Sequence, residues 1–344
     1  MTKIKTLLIE DSGLMRIMIS DALRADPEIE VIGTANNGHE GVEKVRDMRP
    51  DVVITDMLMP KYDGLYAVKN IMSKTPIPII LLSSLDRANS EVFDALNAGA
   101  FDFIDKPQTK DAVEFKSALR SLKEKIKIAS GMDASVLGQK GSKSNHHEHT
   151  FDGILSYQIL VIGASTGGPS AIEAVVSKLP ENLAIPVVVI QHMPERFLIS
   201  YAERLRSLLP LPVELASRNS SPKAGTIYIV PGDGNMALIN NNKNVPTFQY
   251  VRKKFKDYDS PSINCMFESV AQVYGTKAIG LILTGMGRDG TIGLSAIKQM
   301  GGLTIAQDAA SCVVNGMPQA AADYGAVDYR VKINEIPGFI MSCF

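Results

Sequence analysis

Tryptophan is absent from this chain of 344 residues, and cysteine occurs only at Cys265, Cys312 and Cys343. An odd, widely spaced set without a C-x-x-C pair supplies neither a disulfide framework nor a cysteine zinc site, and it fits a reducing compartment. Long apolar runs are also missing. The longest, residues 77–82 and 185–190, fall far short of the roughly 20 residues that cross a bilayer, and the chain opens without a charged-then-apolar export signal. A cytoplasmic protein without membrane insertion is expected. Charge of one sign is lacking too. With 36 Lys and Arg against 37 Asp and Glu, no broad field is available for nucleic acid. The balance holds locally, at 17 basic against 20 acidic residues in 1–125 and 19 against 17 beyond.

What is present is an ordinary globular composition, 45% hydrophobic and 21% charged. At about 150 residues per domain this length predicts two domains. Strand-like runs at 6–9, 30–35, 52–55, 77–82 and 101–104 alternate with amphipathic stretches, and Gly33, Pro50, Pro76 and Gly99 punctuate the joints. Near-continuous apolar strands in that rhythm predict an α/β fold: a flavodoxin-like (βα)5 domain over 1–125 with a doubly wound parallel sheet. Residues 126–153 read as a flexible linker rich in glycine and serine. The tract His146-His147-Glu148-His149 lies inside it, and a flexible chain without cysteine favours a solvated linker over a metal site. A second, mostly parallel α/β domain is expected over 154–344. Its strands are placed at 158–162, 186–190, 226–230, 278–283 and 303–306, its helices at 169–179, 195–209, 262–274 and 291–300, and an antiparallel excursion within 223–251.

In open parallel sheets, ligands bind outside the carboxyl ends of the strands. In the first domain Glu10 and Asp11 end the first strand, Asp56 the third and Ser83 the fourth, and Lys106 follows the fifth. Clustered carboxylates repel unless a cation neutralises them, and hard oxygen ligands with open positions select Mg²⁺. Asp56 could then attack a phosphoryl donor in line, with Ser83 and Lys106 on phosphoryl oxygens. These residues, with Asp56-Met57-Leu58-Met59-Pro60 and Lys106-Pro107, resemble the receiver domain of two-component response regulators over about residues 3–125. The resemblance implies that Asp56 takes phosphate from a histidine kinase and that Glu10, Asp11, Asp56 and the Leu58 carbonyl hold Mg²⁺. It also implies a cis Lys106-Pro107 bond and a switching aromatic at Phe103. Glu10 stands where the family commonly has Asp, and its extra methylene suggests contact with the metal through water.

In the second domain, Gly163-Ala164-Ser165-Thr166-Gly167-Gly168-Pro169 follows a strand and precedes a helix. It satisfies the G-x-S-x-G elbow that exposes a serine on a sharp turn, beside helix N–H groups that could bind an oxyanion. A dinucleotide loop is the competing reading. It fails because Ser165 replaces the second glycine and the next strand ends in Gln191-His192 without an acidic ribose partner. His192 is the one histidine beyond the linker and so the candidate base. Asp289, Asp233 and Asp308 are all candidates for its orienting carboxylate on turn grounds, and spacing leaves the choice open.

Three segments, the Ser165 turn, Gln191-His192-Met193-Pro194 and Thr284-Gly285-Met286-Gly287-Arg288-Asp289-Gly290, resemble the signature segments of the chemotaxis protein-glutamate methylesterase family. The resemblance implies Ser165 as nucleophile, His192 as base, Asp289 as its orienter, and the Met286 N–H as oxyanion donor with Thr166 close by. It implies hydrolysis of glutamate γ-methyl esters on chemoreceptors, with methanol released, and deamidation of specific glutamines, without a cofactor for the esterase reaction. Phosphorylation at Asp56 is expected to relieve an inhibitory packing of the receiver over the serine. The rivals are a phosphorylation-controlled receptor-docking module without catalysis, and a transcription factor, which would need a basic domain or helix-turn-helix that is missing.

Overall fold

The structure is a computed structural model that describes residues 2–83, 89–106, 112–132, 157–253, 255, 257–258 and 260–344. Pro107 and the tract from His146 to His149 therefore lie outside the described residues, as does most of the expected linker. The chain divides into two compact units, Met1–Lys140 and Gly141–Phe344.

The first unit is a five-stranded parallel sheet in the order β2-β1-β3-β4-β5, with β1 Ile4–Ile9, β2 Ile29–Ala35, β3 Val52–Asp56, β4 Ile79–Ser83 and β5 Asp102–Asp105. Every residue of β3 and β4 is buried, as expected for strands covered by helices on both faces. Each fully buried aliphatic side chain there contributes about 1.5–3 kcal/mol. The helices are α1 Gly13–Arg24, α2 Gly38–Met48, α3 Gly64–Lys74, α4 Asn89–Asn97 and α5 Ala112–Ala129. Ser12, Asn37 and Asp63 start α1, α2 and α3 by accepting from Met15, Glu40 and Tyr66 N–H, which satisfies donors that the helix itself leaves unpaired. The chain order reverses at β1, whose neighbours are β2 and β3. This brings the ends of β1 and β3 side by side at the switch point. Helix α5 continues past position 125 and buries Ile126 and Ala129.

The second unit holds a seven-stranded parallel sheet, β14-β13-β12-β6-β7-β9-β8. The strands are β6 Ile159–Ala164, β7 Val187–Gln191, β8 Val213–Leu215, β9 Ile227–Ile229, β12 Ala278–Ile282, β13 Leu303–Gln307 and β14 Tyr329–Val331. The strand-rich middle forms a separate antiparallel pair, β10 Asn235–Asn240 with β11 Pro246–Val251. Its turn is held by Asn241 Oδ1, which accepts from the N–H groups of Lys243 and Val245. Met236, Leu238 and Phe248 carry this pair into the core beside Tyr228 and Phe267. The helices are α6 Gly168–Val176, α7 Glu195–Leu208, α8 Ile263–Tyr274, α9 Thr291–Gln299, α10 Gly316–Asp323 and α11 Ile336–Met341. Central β6 lies between β12 and β7, so the turns leaving these three adjacent strands share one edge of the sheet.

Candidate functional site

Both units present polar residues where their strands end. In the first, ligand oxygens of Glu10, Asp11 and Asp56 lie within 4.8 Å of one another. Glu10 and Asp56 are buried and Asp11 is exposed. Lys106 Nζ donates to Asp56 Oδ2 at 2.5 Å and to Glu10 Oε1 at 2.9 Å. One ammonium cannot neutralise three carboxylates, and the imbalance shows in their protonation. Burial first, then the Asp56 charge, pushes Glu10 up to about 7. Burial also raises Asp56, against the pull of Lys106 and the Leu58 N–H. For Lys106, burial would lower the ammonium, but the Asp56 and Glu10 carboxylates outweigh it and hold the charge.

Lys106 Nζ also lies 2.9 Å from Glu10 Oε2, whereas the buried Ser83 Oγ at the end of β4 has no hydrogen-bond partner among the described residues. A buried polar atom without a partner costs about 1–3 kcal/mol, so Ser83 Oγ marks a place for a group still to arrive. An all-oxygen donor set, partly open, fits a hard divalent cation. Gly64 keeps the Asp56 backbone close, since a Cβ there would meet Met57 Cα at 2.8 Å. Phe103 is buried in β5.

In the second unit the G-x-S-x-G turn follows β6. Ser165 N donates to Thr284 O at 3.0 Å, and Gly168 N donates to Ser165 O at 2.8 Å. Gly167 adopts φ 73°, a left-handed conformation that favours glycine, and a Cβ there would meet Val313 Cβ at 2.6 Å. This turn leaves Ser165 partly exposed at the start of α6. The strand pairing then fixes the histidine. Ala164 lies opposite Gln191, and His192 N donates to Ala164 O at 3.0 Å.

His192 Nε2 lies 2.9 Å from Asp289 Oδ2, with side chains only 4% and 1% exposed. No hydrogen bond joins the Ser165 hydroxyl to His192 among the described residues. The other two carboxylate candidates are engaged elsewhere. Exposed Asp233 accepts from Tyr250 OH at 2.8 Å, and Asp308 caps a short 3-10 turn through Ala310 N.

Asp289 does not cap the helix that follows it, because Gly290 starts α9 without a side-chain cap. Its carboxylate instead accepts from Ile263 N at 2.7 Å, Asn264 N at 3.1 Å and Ser262 Oγ at 3.2 Å, at the N-terminus of α8. Burial would raise the Asp289 carboxyl. His192 and the N–H groups of Ile263 and Asn264 outweigh it and hold it below the usual carboxylate range.

The glycine-rich loop between β12 and α9 packs directly on the serine, since a Cβ at Gly285 would lie 2.7 Å from Ser165 Cβ. The next residue, Met286, is partly exposed, and its N–H donates no hydrogen bond among the described residues. Thr166 is buried, and its carbonyl accepts from Thr284 Oγ1 at 3.0 Å.

Several contributors escaped the sequence reading. Gln191, which opens the segment Gln191-His192-Met193-Pro194 but carries no role in the sequence alone, donates from Nε2 to Ser165 O at 2.9 Å and His192 O at 3.0 Å and so ties the two turns together. Thr284 braces the loop from beneath, its Oγ1 accepting from Val314 N at 2.8 Å. Ser262 is 27 residues from the carboxylate that it meets. A buried amide at a parallel strand's end was the one available signal for Gln191. Thr284 opens a signature segment and Ser262 an expected helix, but neither position shows locally which distant residue it touches.

Comparison with known proteins agrees on both units. The CheB methylesterase family matches residues 160–340, and the response regulator receiver domain matches residues 6–118. A protein-glutamate methylesterase/protein-glutamine glutaminase from Oceanobacillus iheyensis is 36% identical over 99% of each chain. One of the same description from Archaeoglobus fulgidus is 39% identical over 96% of this chain and 95% of its own. The crystal structure of the Thermotoga maritima CheB methylesterase catalytic domain superposes with a TM-score of 0.53 at 38% identity, covering 55% of this chain and all of that one.

Proposed function

The chain belongs to the CheB methylesterase family, and on that premise we propose that Ser165, His192 and Asp289 form its catalytic triad and that Asp56 is the acceptor through which phosphorylation switches it on. The protein is a phosphorylation-regulated protein-glutamate methylesterase/protein-glutamine glutaminase of chemotaxis. Its substrates are glutamate γ-methyl esters and specific glutamines on chemoreceptors.

The observation that carries the triad is the buried 2.9 Å contact between His192 Nε2 and Asp289 Oδ2, one strand away from the serine turn. An ionised carboxylate only accepts, so Nε2 carries the proton and Nδ1 is left as the basic nitrogen. Ser165 Oγ attacks the ester carbonyl while its proton passes to His192 Nδ1. The imidazolium that results is stabilised by Asp289, and the oxyanion by the Met286 N–H beside Thr166. Collapse breaks the bond to methoxide, which leaves as methanol with the proton from Nδ1. Water then enters by the same route in reverse, releasing the glutamate side chain and restoring the Ser165 hydroxyl. For glutamine the leaving group is ammonia, and the rest is unchanged.

In the receiver, Asp56 Oδ attacks a phosphohistidine of the chemotaxis kinase. A carboxylate–phosphorus bond forms as the phosphorus–nitrogen bond breaks. Glu10, Asp11, Asp56 and the Leu58 carbonyl would hold Mg²⁺, whose charge would offset the carboxylates and the incoming phosphoryl group. Ser83 Oγ, buried and without a hydrogen-bond partner among the described residues, donates to one phosphoryl oxygen, and Lys106 follows another.

Methanol release from methylated receptor membranes tests the triad. Ser165→Ala is expected to lose at least about a thousandfold in rate, and full activity in that variant would discard the reading, leaving the receptor-docking module as the alternative.

A further inference from the structure

One ring in the second unit has no part in the chemistry above. Tyr258 lies face to face with His192, with ring centroids 3.6 Å apart and planes within 2° of parallel. Two neutral aromatic rings prefer an offset or an edge contact to full overlap, whereas a cation over a ring face is attracted by the ring's quadrupole. The arrangement therefore suits the imidazolium that forms when His192 takes a proton better than the neutral imidazole before it.

We propose that Tyr258 is a positioning residue for His192, its ring holding the imidazole plane so that one nitrogen meets Asp289 and the other is presented to Ser165. This rests on the reading of His192 as the base.

A single hydrogen bond at Nε2 fixes one point of the imidazole and leaves the ring free to tilt about it. A parallel ring at van der Waals distance removes that freedom. It also covers one face of the imidazole from water, in keeping with a side chain only 4% exposed.

Tyr258 is itself held from both sides. Its neighbour Asp257 accepts from Arg288 Nε at 3.0 Å, and Arg288 directly precedes Asp289. On the other side Ser260 Oγ donates to Gly232 O at 3.0 Å, and Ser262 Oγ donates to Asp289 Oδ1 at 3.2 Å. The segment that carries the ring is thus fastened to the loop that carries the carboxylate. Tyrosine and aspartate would move together, and the histidine between them is clamped at a face and at an edge. The tyrosine's ring, not its hydroxyl, does this work. The ring should also stabilise the protonated base more than the resting one, which favours the transition state over the ground state.

The test uses the full-length protein with isotope-labelled histidine, and reads both methanol release and the His192 ring-proton resonances. In Tyr258→Leu, kcat is expected to fall about 10- to 100-fold, as for a misplaced catalytic group, while KM stays within about twofold. The His192 ring protons are expected to lose the upfield shift that a stacked ring imposes. Tyr258→Phe is expected to restore that shift and most of the lost rate. Arg288→Gln, which keeps the ring and loosens its anchor, should show a smaller change of the same kind and covers the case in which Tyr258→Leu fails to fold. A Tyr258→Leu protein that loses the upfield shift yet keeps its kcat would overturn the proposal. So would a Tyr258→Phe protein as slow as Tyr258→Leu. His192→Ala, run alongside, separates the two readings: activity without the imidazole would refute the base, whereas an inactive His192→Ala beside an active Tyr258→Leu would refute only the clamp.

Discussion

Asp56 and Asp289 are both buried carboxylates, one closing β3 and the other on the loop between β12 and α9, yet they are finished in opposite ways. Asp56 shares one lysine with Glu10, its carboxyl is raised by burial, and among the described residues Ser83 Oγ has no hydrogen-bond partner. Asp289 accepts from three backbone N–H groups and a serine and meets a histidine, and its carboxyl is lowered. A buried carboxylate beyond the core of a parallel sheet can therefore be a reactive group waiting for charge or a supporting group whose charge is already answered. The incomplete site suits the phosphoryl-acceptor role proposed for Asp56. The complete one suits the supporting role proposed for Asp289 beneath His192.

Removing the charge should break the two sites differently. Asp289→Asn is expected to lower kcat about ten-thousand-fold, because the amide can stabilise neither the tautomer nor the imidazolium. It should also cost about 1–3 kcal/mol of stability by weakening the hydrogen bonds that start α8. Methanol release and thermal unfolding measure the two effects. Asp56→Asn is expected to abolish stimulation by an acyl-phosphate donor with Mg²⁺, yet to raise the unfolding temperature of the metal-free receiver, since it removes a charge that burial disfavours. A destabilised Asp56→Asn receiver would erase the contrast.

The pH dependence should differ in sign as well. Glu10 goes from an unfolded value of 4.5 to about 7 when folded. The folded receiver thus binds that proton more tightly, and the stability this provides is present below pH 4.5 and lost as pH rises through about 7. Glu10→Gln should therefore be more stable than the parent at neutral pH, by on the order of 3 kcal/mol at most, and the gap should close on acidification. Asp289 acts in reverse. Its contribution is present above the usual carboxylate value and is lost as pH falls through the lower folded value. Calorimetry of parent and variants across this range reads both slopes. The smallest effect is expected from Ser262→Ala, about 1 kcal/mol for the lost cap on Cys265 N and the lost bond to Asp289.

Much of this was legible in the residues. The apolar runs of β1, β3 and β4 and the polar residues closing them follow from burial on two faces, which leaves strand ends as the places for Glu10, Asp56 and Ser83. The serine turn was legible because glycines were needed around it. Less visible were the three-residue strands β8 and β14, too short for any hydrophobic period and made strands only by pairing with β9 and β13. The choice of Asp289 over Asp233 and Asp308 came from resemblance to a family, because turn chemistry alone fits all three. Tyr258, Ser262 and Gln191 act through contacts across 26 to 97 residues of sequence or through partners so linked, and no local pattern encodes those.

The central claim is that Ser165 is the nucleophile and is made so by His192. A fluorophosphonate probe applied to the full-length protein, followed by peptide mass spectrometry, tests it most directly. One adduct on Ser165 is expected, absent in His192→Ala. A protein that still releases methanol from methylated receptors but takes no label at Ser165, or labels equally without the imidazole, would contradict it.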